Sequence, residues 1–317
     1  HPAAKAADVV MVVGQKLGSS VSYGAPPYFA DDASFIQIDS DGAEIGRNRP
    51  IAVPVIGDPG AATMAIAAEL AGTHNRPRDP AWVQDGLAER IEKLDQVGRA
   101  ESGPVHPLRM ARELAARMPE DAIFVGDGAN SLNWYKAEIK VQRPFGWLDQ
   151  DPLGSMGAGL PLAIGVVAAN QETGATRPVF VAAGDGALGQ YLGELASAAL
   201  HGLPMFIAVA NDGGWGASRN ITKRLFGGAY GVDVNQSRYD LVAEGLECHG
   251  ELAEGPSDVG PAFDRAIAAV GKGKTALVNV LADPTSGDKR ADPALQMVPF
   301  NHLYHAEKSR RHGVPDK

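Results

Sequence analysis

Residues 184–216, GDGALGQYLGELASAALHGLPMFIAVANDGGWG, constrain the fold more than any other stretch of the chain. An apolar run, Val179–Ala183, delivers a glycine turn carrying Asp185. A helical segment, Gln190–Leu200, and a second apolar run, Met205–Ala210, follow. That run delivers Asn211 and Asp212. The two aspartates stand 27 positions apart, with a strand–turn–helix–strand pattern between them. Both carboxylates are therefore expected at one end of a parallel sheet, where open α/β sheets bind their ligands. Mg²⁺ prefers one or two carboxylates plus phosphate oxygens. A helix expected to begin near Leu188, with glycines at its start, suits a phosphate. The stretch predicts a Mg²⁺–diphosphate site.

The remaining chain reads as α/β, with parallel-sheet domains and flanking helices. Val9–Val13 is a continuous apolar run closed by Gly14, the pattern of a central parallel strand. Phe35–Asp39 is a second strand. Val53–Ile56 is a third, placed at an edge by Pro54. A helix follows over Ala61–Ala71. Gly14 and Gly18 hint at a nucleotide loop, but the full GxGxxG pattern is absent, and close strand–helix packing explains them equally. Residues 74–103 are polar and charged, with one exposed helix, and read as a linker. Pro107–Met118 is amphipathic, and Ala122–Val125 is a strand ending in a first GDG, residues 126–128. Gly154 stands 27 positions after Asp127 and offers no side-chain ligand, so this GDG is set aside as a metal motif. Ala129 and Asn130 next to it are placed to meet a phosphate through backbone N–H groups, or simply to turn the chain.

Phe145–Asp151 reads as an irregular aromatic loop. The small residues of 154–159, GSMGAG, permit close approach of backbone to a ligand, with Met156 the one bulky side chain; alone, such a Met is core packing. Gly213–Tyr239 reads as a long loop bearing Arg219, Lys223 and Arg224, which either steer anions or form a solvated face. Helices over Tyr239–Glu244 and Pro261–Gly271 and a last strand, Ala276–Leu281, complete the pattern. The P-loop-like GKGKT of 271–275 has Ala268 where a glycine belongs and precedes a strand, so it reads as a basic turn. Residues 285–317 form a tail or a lid.

Composition narrows the partners. With a net charge of −9 the overall field opposes nucleic acid and anionic membranes. One cysteine, Cys248, excludes an internal disulfide framework and fits a reducing, cytoplasmic setting. No apolar run reaches membrane-spanning length, and no signal segment opens the chain. The chain begins at His1 and enters a buried strand almost at once, which raises the expectation of a missing or separate N-terminal portion.

The stretch 184–216 resembles the cofactor signature of thiamine-diphosphate-dependent enzymes of the acetolactate synthase and pyruvate decarboxylase type. The resemblance implies thiamine diphosphate and Mg²⁺ as cofactors. Asp185, Asp212 and the carbonyl of Gly214 would be the metal ligands. Gly184, Gly186, Ala187, Trp215, Gly216, Ala129 and Asn130 would surround the diphosphate and thiazolium. Residues 154–159 resemble the segment that meets the two cofactor rings, so Met156 would support the bent cofactor and the Gly154 carbonyl would accept from its amino group. The departure is Asp212, where Asn is commoner. Residues 145–157 (FGWLDQDPLGSMG) and 211–216 (NDGGWG) look most like the acetolactate-synthase-like and 2-hydroxyacyl-CoA lyase branch.

By this resemblance residues 1–73 are part of a Rossmann-like middle domain, 74–103 a linker, 104–284 the diphosphate- and Mg²⁺-binding domain, and 285–317 a tail or lid. The catalytic glutamate is expected outside this chain, on a pyrimidine-binding domain in a missing N-terminal half or a separate polypeptide. The full enzyme would be a homodimer or tetramer acting on a small acyl or acyl-CoA substrate. The implied activity is C–C bond lyase or carboligase chemistry of the 2-hydroxyacyl-CoA lyase kind. Acetolactate synthase-like carboligation of a 2-oxo acid, and a non-catalytic cofactor-binding subunit, are the alternatives.

Overall fold

The computed structural model describes residues 2–26, 28–73, 92, 95–96, 98–150 and 154–286. Most of the expected linker, residues 74–91, and the tail beyond Ser286 lie outside the described residues. The chain divides into two compact units, with the change after Glu92.

The first unit carries three parallel strands in the order β1-β2-β3: Val9–Val13, Ser34–Asp39 and Val53–Ile56. Pro54 does lie in an edge strand, where its missing N–H leaves no gap in a central ladder. Val9–Val13 does not hold the central place its apolar run predicts. It pairs only with β2, and Val9, Met11 and Val13 are exposed. Only Val12 of that strand is buried, beside Leu17, Phe29 and Phe35. Arg49 closes this small core. Its guanidinium donates to the carbonyls of Ala30, Asp31 and Ala33 and lies 4.2 Å from the Phe35 ring centroid.

The second unit is a six-stranded, all-parallel sheet in the order β5-β4-β6-β7-β9-β8. The strands are β4 Ile123–Asp127, β5 Trp147–Leu148, β6 Val179–Gly184, β7 Phe206–Asn211, β8 His249–Ala253 and β9 Ala276–Leu281. Alternating side chains feed opposite faces, so continuous apolar runs are required where helices cover both. Phe124, Phe180, Phe206 and Val278 pack toward the helices Pro107–Ala115, Leu132–Glu138 and Pro256–Val270. Val125, Val181, Ile207 and Leu277 pack toward Gly159–Thr173, Glu194–Leu200 and Tyr239–Gly245.

Several local expectations change. The residues after Asp185 form a five-residue helix, Asp185–Gly189, that starts at the aspartate and not near Leu188. The following helix starts at Glu194, not Gln190. Gly213–Tyr239 is not one loop, because Gly216–Phe226 is helical and ends on Gly227 at φ +74°. The aromatic loop supplies β5. The polar, glycine-containing β8 gives no apolar alternation to read. The helix expected from Pro261 begins at Pro256, with Pro261 inside it and Gly255 as its N-cap. The GKGKT segment is the turn into β9, as its placement before a strand predicts.

Phe263 is fully buried and meets Phe206 edge-on at 5.1 Å. Phe263→Ala is expected to lower the unfolding free energy by roughly 3–5 kcal/mol in chemical denaturation, through lost burial plus a residual cavity.

Candidate functional site

Strand register assembles the site. Asp127 of β4 pairs with Ala183 of β6, and Gly184 of β6 pairs with Ala210 of β7. The C-terminal ends of three adjacent strands therefore deliver Asp127, Asp185 and Asp212 to the same edge. Asp185 and Asp212 border a cleft of about 360 Å³, and Gly128, next to Asp127, lines it as well. Every residue that the resemblance assigns to the metal or the cofactor lies on its lining. Asp185, Asp212 and Gly214 are there, with Gly184, Gly186 and Ala187 from the β6 turn. Trp215 and Gly216 from the β7 turn line it too, as do Ala129 and Asn130 from the β4 turn, and Gly154 and Met156 from the glycine loop.

Asp185 is buried. One oxygen accepts from the Gly186 N–H at 2.9 Å and the other from the Gly214 N–H at 2.9 Å. Burial, and then the facing Asp212, push its pKa up to about 6 against the pull of those N–H groups. Burial also raises Asp212, opposed by the Arg219 guanidinium and by a hydrogen bond from the Asn130 side chain. Asp212 Oδ1 lies 3.5 Å from Arg219 Nη1, an ion-pair distance, yet receives no hydrogen bond. Two buried carboxylates, both raised by burial and Asp185 further by the charge of Asp212, with one orphaned oxygen on Asp212, suit a hard divalent cation. Among the described residues no group of three or more His, Cys, Asp or Glu side chains is placed to hold a metal. A cation here would complete its shell with main-chain and ligand oxygens, the habit of Mg²⁺.

The glycines shape the cradle. A Cβ on Gly216 would collide with Asp212 Oδ2, and one on Gly186 would lie 3.0 Å from the Trp215 ring. Trp215 thus forms a wall directly over the first turn.

Asp127 has a role that the sequence reading missed. It is buried, and its Oδ1 accepts from the N–H groups of Gly128 at 2.8 Å and Gly157 at 3.1 Å. Its Oδ2 accepts from the Gly159 N–H at 2.7 Å. A Cβ on Gly159 would sit 2.6 Å from the Asp127 Cβ, and Gly157 has φ +90°. The first GDG thus anchors the loop that carries Gly154 and Met156. The readable signal was the pair of glycines thirty and thirty-two positions downstream, but only the fold shows which acid they meet. Arg219 follows neither of its alternatives, anion steering or a solvated face, being buried and turned toward Asp212.

Comparison with known proteins decides the family. Residues 126–280 match the model described as thiamine pyrophosphate enzyme, C-terminal TPP binding domain, and residues 1–66 match the central domain of the same enzymes. The chain belongs to the thiamine pyrophosphate enzyme family. The cleft at the strand ends thus lies within a thiamine-diphosphate-binding domain, and enzymes of this family use Mg²⁺ with that cofactor. An acetolactate synthase large subunit of Mycobacterium tuberculosis is 30% identical over 280 residues, covering 88% of this chain and 49% of that protein. A 2-hydroxyacyl-CoA lyase 2 of Caenorhabditis elegans is 27% identical over 296 residues, covering 89% and 45%. A thiamine diphosphate-dependent 4-hydroxybenzoylformate decarboxylase of Rhodococcus jostii RHA1 shares the fold, with a TM-score of 0.67 at 22% identity. That superposition covers 87% of this chain and 49% of the solved one. The chain spans about half the length of the curated relatives it matches.

Asp127→Asn replaces an acceptor by a donor facing a backbone N–H. It is expected to lower stability by roughly 1–3 kcal/mol. It should also weaken thiamine diphosphate binding by about tenfold, or ~1.4 kcal/mol, in titration calorimetry. Unchanged affinity would detach the loop from the site. A second prediction concerns pH. An acid whose pKa rises on folding makes the metal-free fold less stable as pH climbs from its unfolded pKa, near 4, toward about 6. A cation held by Asp185 competes with that proton. The rise in Tm caused by Mg²⁺ with thiamine diphosphate should therefore be larger at about pH 7.5 than at about pH 5; equal rises would count against Asp185 as ligand.

Proposed function

We propose that this chain is the cofactor-anchoring portion of a thiamine-diphosphate- and Mg²⁺-dependent C–C bond lyase or carboligase of the 2-hydroxyacyl-CoA lyase kind. The observation that carries the chemistry is the pair of buried carboxylates, Asp185 and Asp212, facing one another across adjacent strand ends in a thiamine-diphosphate-binding domain. Support for the substrate class comes from the 2-hydroxyacyl-CoA lyase relative and from the FGWLDQDPLGSMG segment. The acetolactate synthase relative supports a second reading, in which a 2-oxo acid is decarboxylated and joined to an acceptor.

In this reading Asp185, Asp212 and the Gly214 carbonyl hold Mg²⁺. Gly184, Gly186, Ala187 and Gly216 leave room for the diphosphate beneath Trp215. Ala129 and Asn130 border it from the β4 turn. Bound thiamine diphosphate supplies a carbon nucleophile and an electron sink, which C–C cleavage next to a carbonyl requires. Met156 and the Gly154 carbonyl, on the loop that Asp127 anchors, would hold the cofactor's rings. All three acids are buried, which strengthens every charge interaction they make.

The rest of the machinery belongs to the same proposal. Residues 1–73 act as part of the middle domain, 74–103 as linker, 104–284 as cofactor domain and 285–317 as a tail or lid. The catalytic glutamate comes from a pyrimidine-binding domain supplied by another stretch of polypeptide. The working form is a cytoplasmic homodimer or tetramer with a small acyl or acyl-CoA substrate. Among the described residues no helix is long and apolar enough to cross a membrane.

Two measurements test this. Asp185→Ala should abolish Mg²⁺-dependent thiamine diphosphate binding in calorimetry, and unchanged affinity would remove the metal assignment. With the pyrimidine-binding domain present, the protein should cleave 2-hydroxyacyl-CoA thioesters to aldehyde or ketone. Turnover of 2-oxo acids alone would favour the synthase reading, and turnover of neither would leave a non-catalytic cofactor-binding subunit.

A further inference from the structure

The helix Gly216–Phe226 places Arg219 one turn beyond the metal turn, where it is almost fully buried. Its guanidinium has a full set of partners. Nη2 donates to the Gly213 carbonyl at 2.8 Å and the Asp212 carbonyl at 3.4 Å. Nε donates to Asp233 at 2.7 Å, and Nη1 donates to the Pro284 carbonyl at 3.4 Å. Nη1 also stands 3.5 Å from Asp212 Oδ1. The fit is tight, since a Cβ on Gly214 would collide with Arg219 Nη2.

A buried guanidinium is costly without a compensating charge. A cation beside a divalent-metal position also repels the metal. Asp233 is 68% exposed, so its charge is screened by solvent; Asp212, 9% exposed at its side chain, is the buried partner. Asp185, Asp212 and Arg219 together carry one net negative charge. Without Arg219 two buried carboxylates would face each other uncompensated. Without the Asp212 charge the guanidinium would keep only the solvent-screened Asp233 as counter-charge next to the metal.

We propose that Arg219 is a built-in counter-charge that makes aspartate workable at position 212 and fixes the carbonyls of the turn, a positioning residue for the metal site. The inference rests on the metal reading of Asp185 and Asp212. Its consequence is that positions 212 and 219 are coupled in sign. Asp212→Asn removes a carboxylate ligand and leaves the guanidinium with only the exposed Asp233 as counter-charge, so Mg²⁺-dependent thiamine diphosphate binding weakens by tenfold or more. Arg219→Met in that background removes the under-compensated cation and recovers part of the loss, short of what the missing carboxylate and the lost bonds to the Gly213 and Asp212 carbonyls cost. Arg219→Lys keeps the charge and recovers nothing.

The experiment is a double-mutant cycle on the 317-residue chain. The variants are D212N, R219M, D212N/R219M and D212N/R219K, with D185A as control. The Mg²⁺ concentration needed for half-maximal thiamine diphosphate binding is read by calorimetry, beside the melting temperature of each metal-free variant. Recovery of D212N by R219M and not by R219K is the expected result. If R219M costs the same fold-change in both backgrounds, Arg219 is only a structural clamp and the inference is overturned, while loss of binding in D185A keeps the metal reading intact. Unchanged binding in D185A overturns the metal reading itself, and this inference with it. Should R219M fail to fold, R219Q replaces it in the same cycle, and the same recovery or its absence decides.

Discussion

Two carboxylates, buried at the ends of neighbouring strands, repel each other in a region where water screens them poorly. The second unit is arranged around that repulsion. Asp185 is held by the N–H groups of Gly186 and Gly214, and Asp212 by Asn130 and the Arg219 guanidinium. Each partner lies on a different element, so the site exists only when β4, β6, β7 and the helix Gly216–Phe226 are all in place. A divalent cation relieves the same repulsion, which couples metal binding to the integrity of the fold.

Behind the turns, buried polar groups fix the strands in register. Asn211 at the end of β7 donates to Asn279 of β9 and to the Ser237 carbonyl. Asn279 donates to Ser237 and to Asp240, and Gln236 returns a bond to the Asn211 carbonyl. A network of this kind raises the cost of any shift in which its members lose one another. It holds the start of the β7 turn while Arg219 holds its middle. On the β4 side Asp127 does comparable work, holding the glycine run of 154–159 through the N–H groups of Gly157 and Gly159.

Much of this was legible in the chain. The spacing of Asp185 and Asp212, with apolar runs before each, was enough to place both at one edge of a parallel sheet. That spacing is set by the length of a strand, a helix and their turns. The α/β class and the edge position of β3 were legible because a continuous apolar run and a strand proline each have few places to go. The residues expected around the cofactor all border one cleft, because they sit in turns that follow adjacent strands. The short, polar β8 was not legible, since its pairing with β9 comes from backbone bonds and not from apolar side chains.

What the sequence determined by itself was therefore the local chemistry, namely which turns carry acids, which carry glycines, and at which end of a sheet they emerge. Tertiary structure decided the pairings. It turned Asp127 toward the N–H groups of Gly157 and Gly159, and it turned Arg219 inward onto Asp212. It left Val9 and Met11 on an exposed face of their strand. The physical reason is range. Periodicity and turn chemistry act over a few residues, whereas hydrogen bonds to Asp127 join residues thirty positions apart, and a buried charge selects its partner only once the space around it is filled.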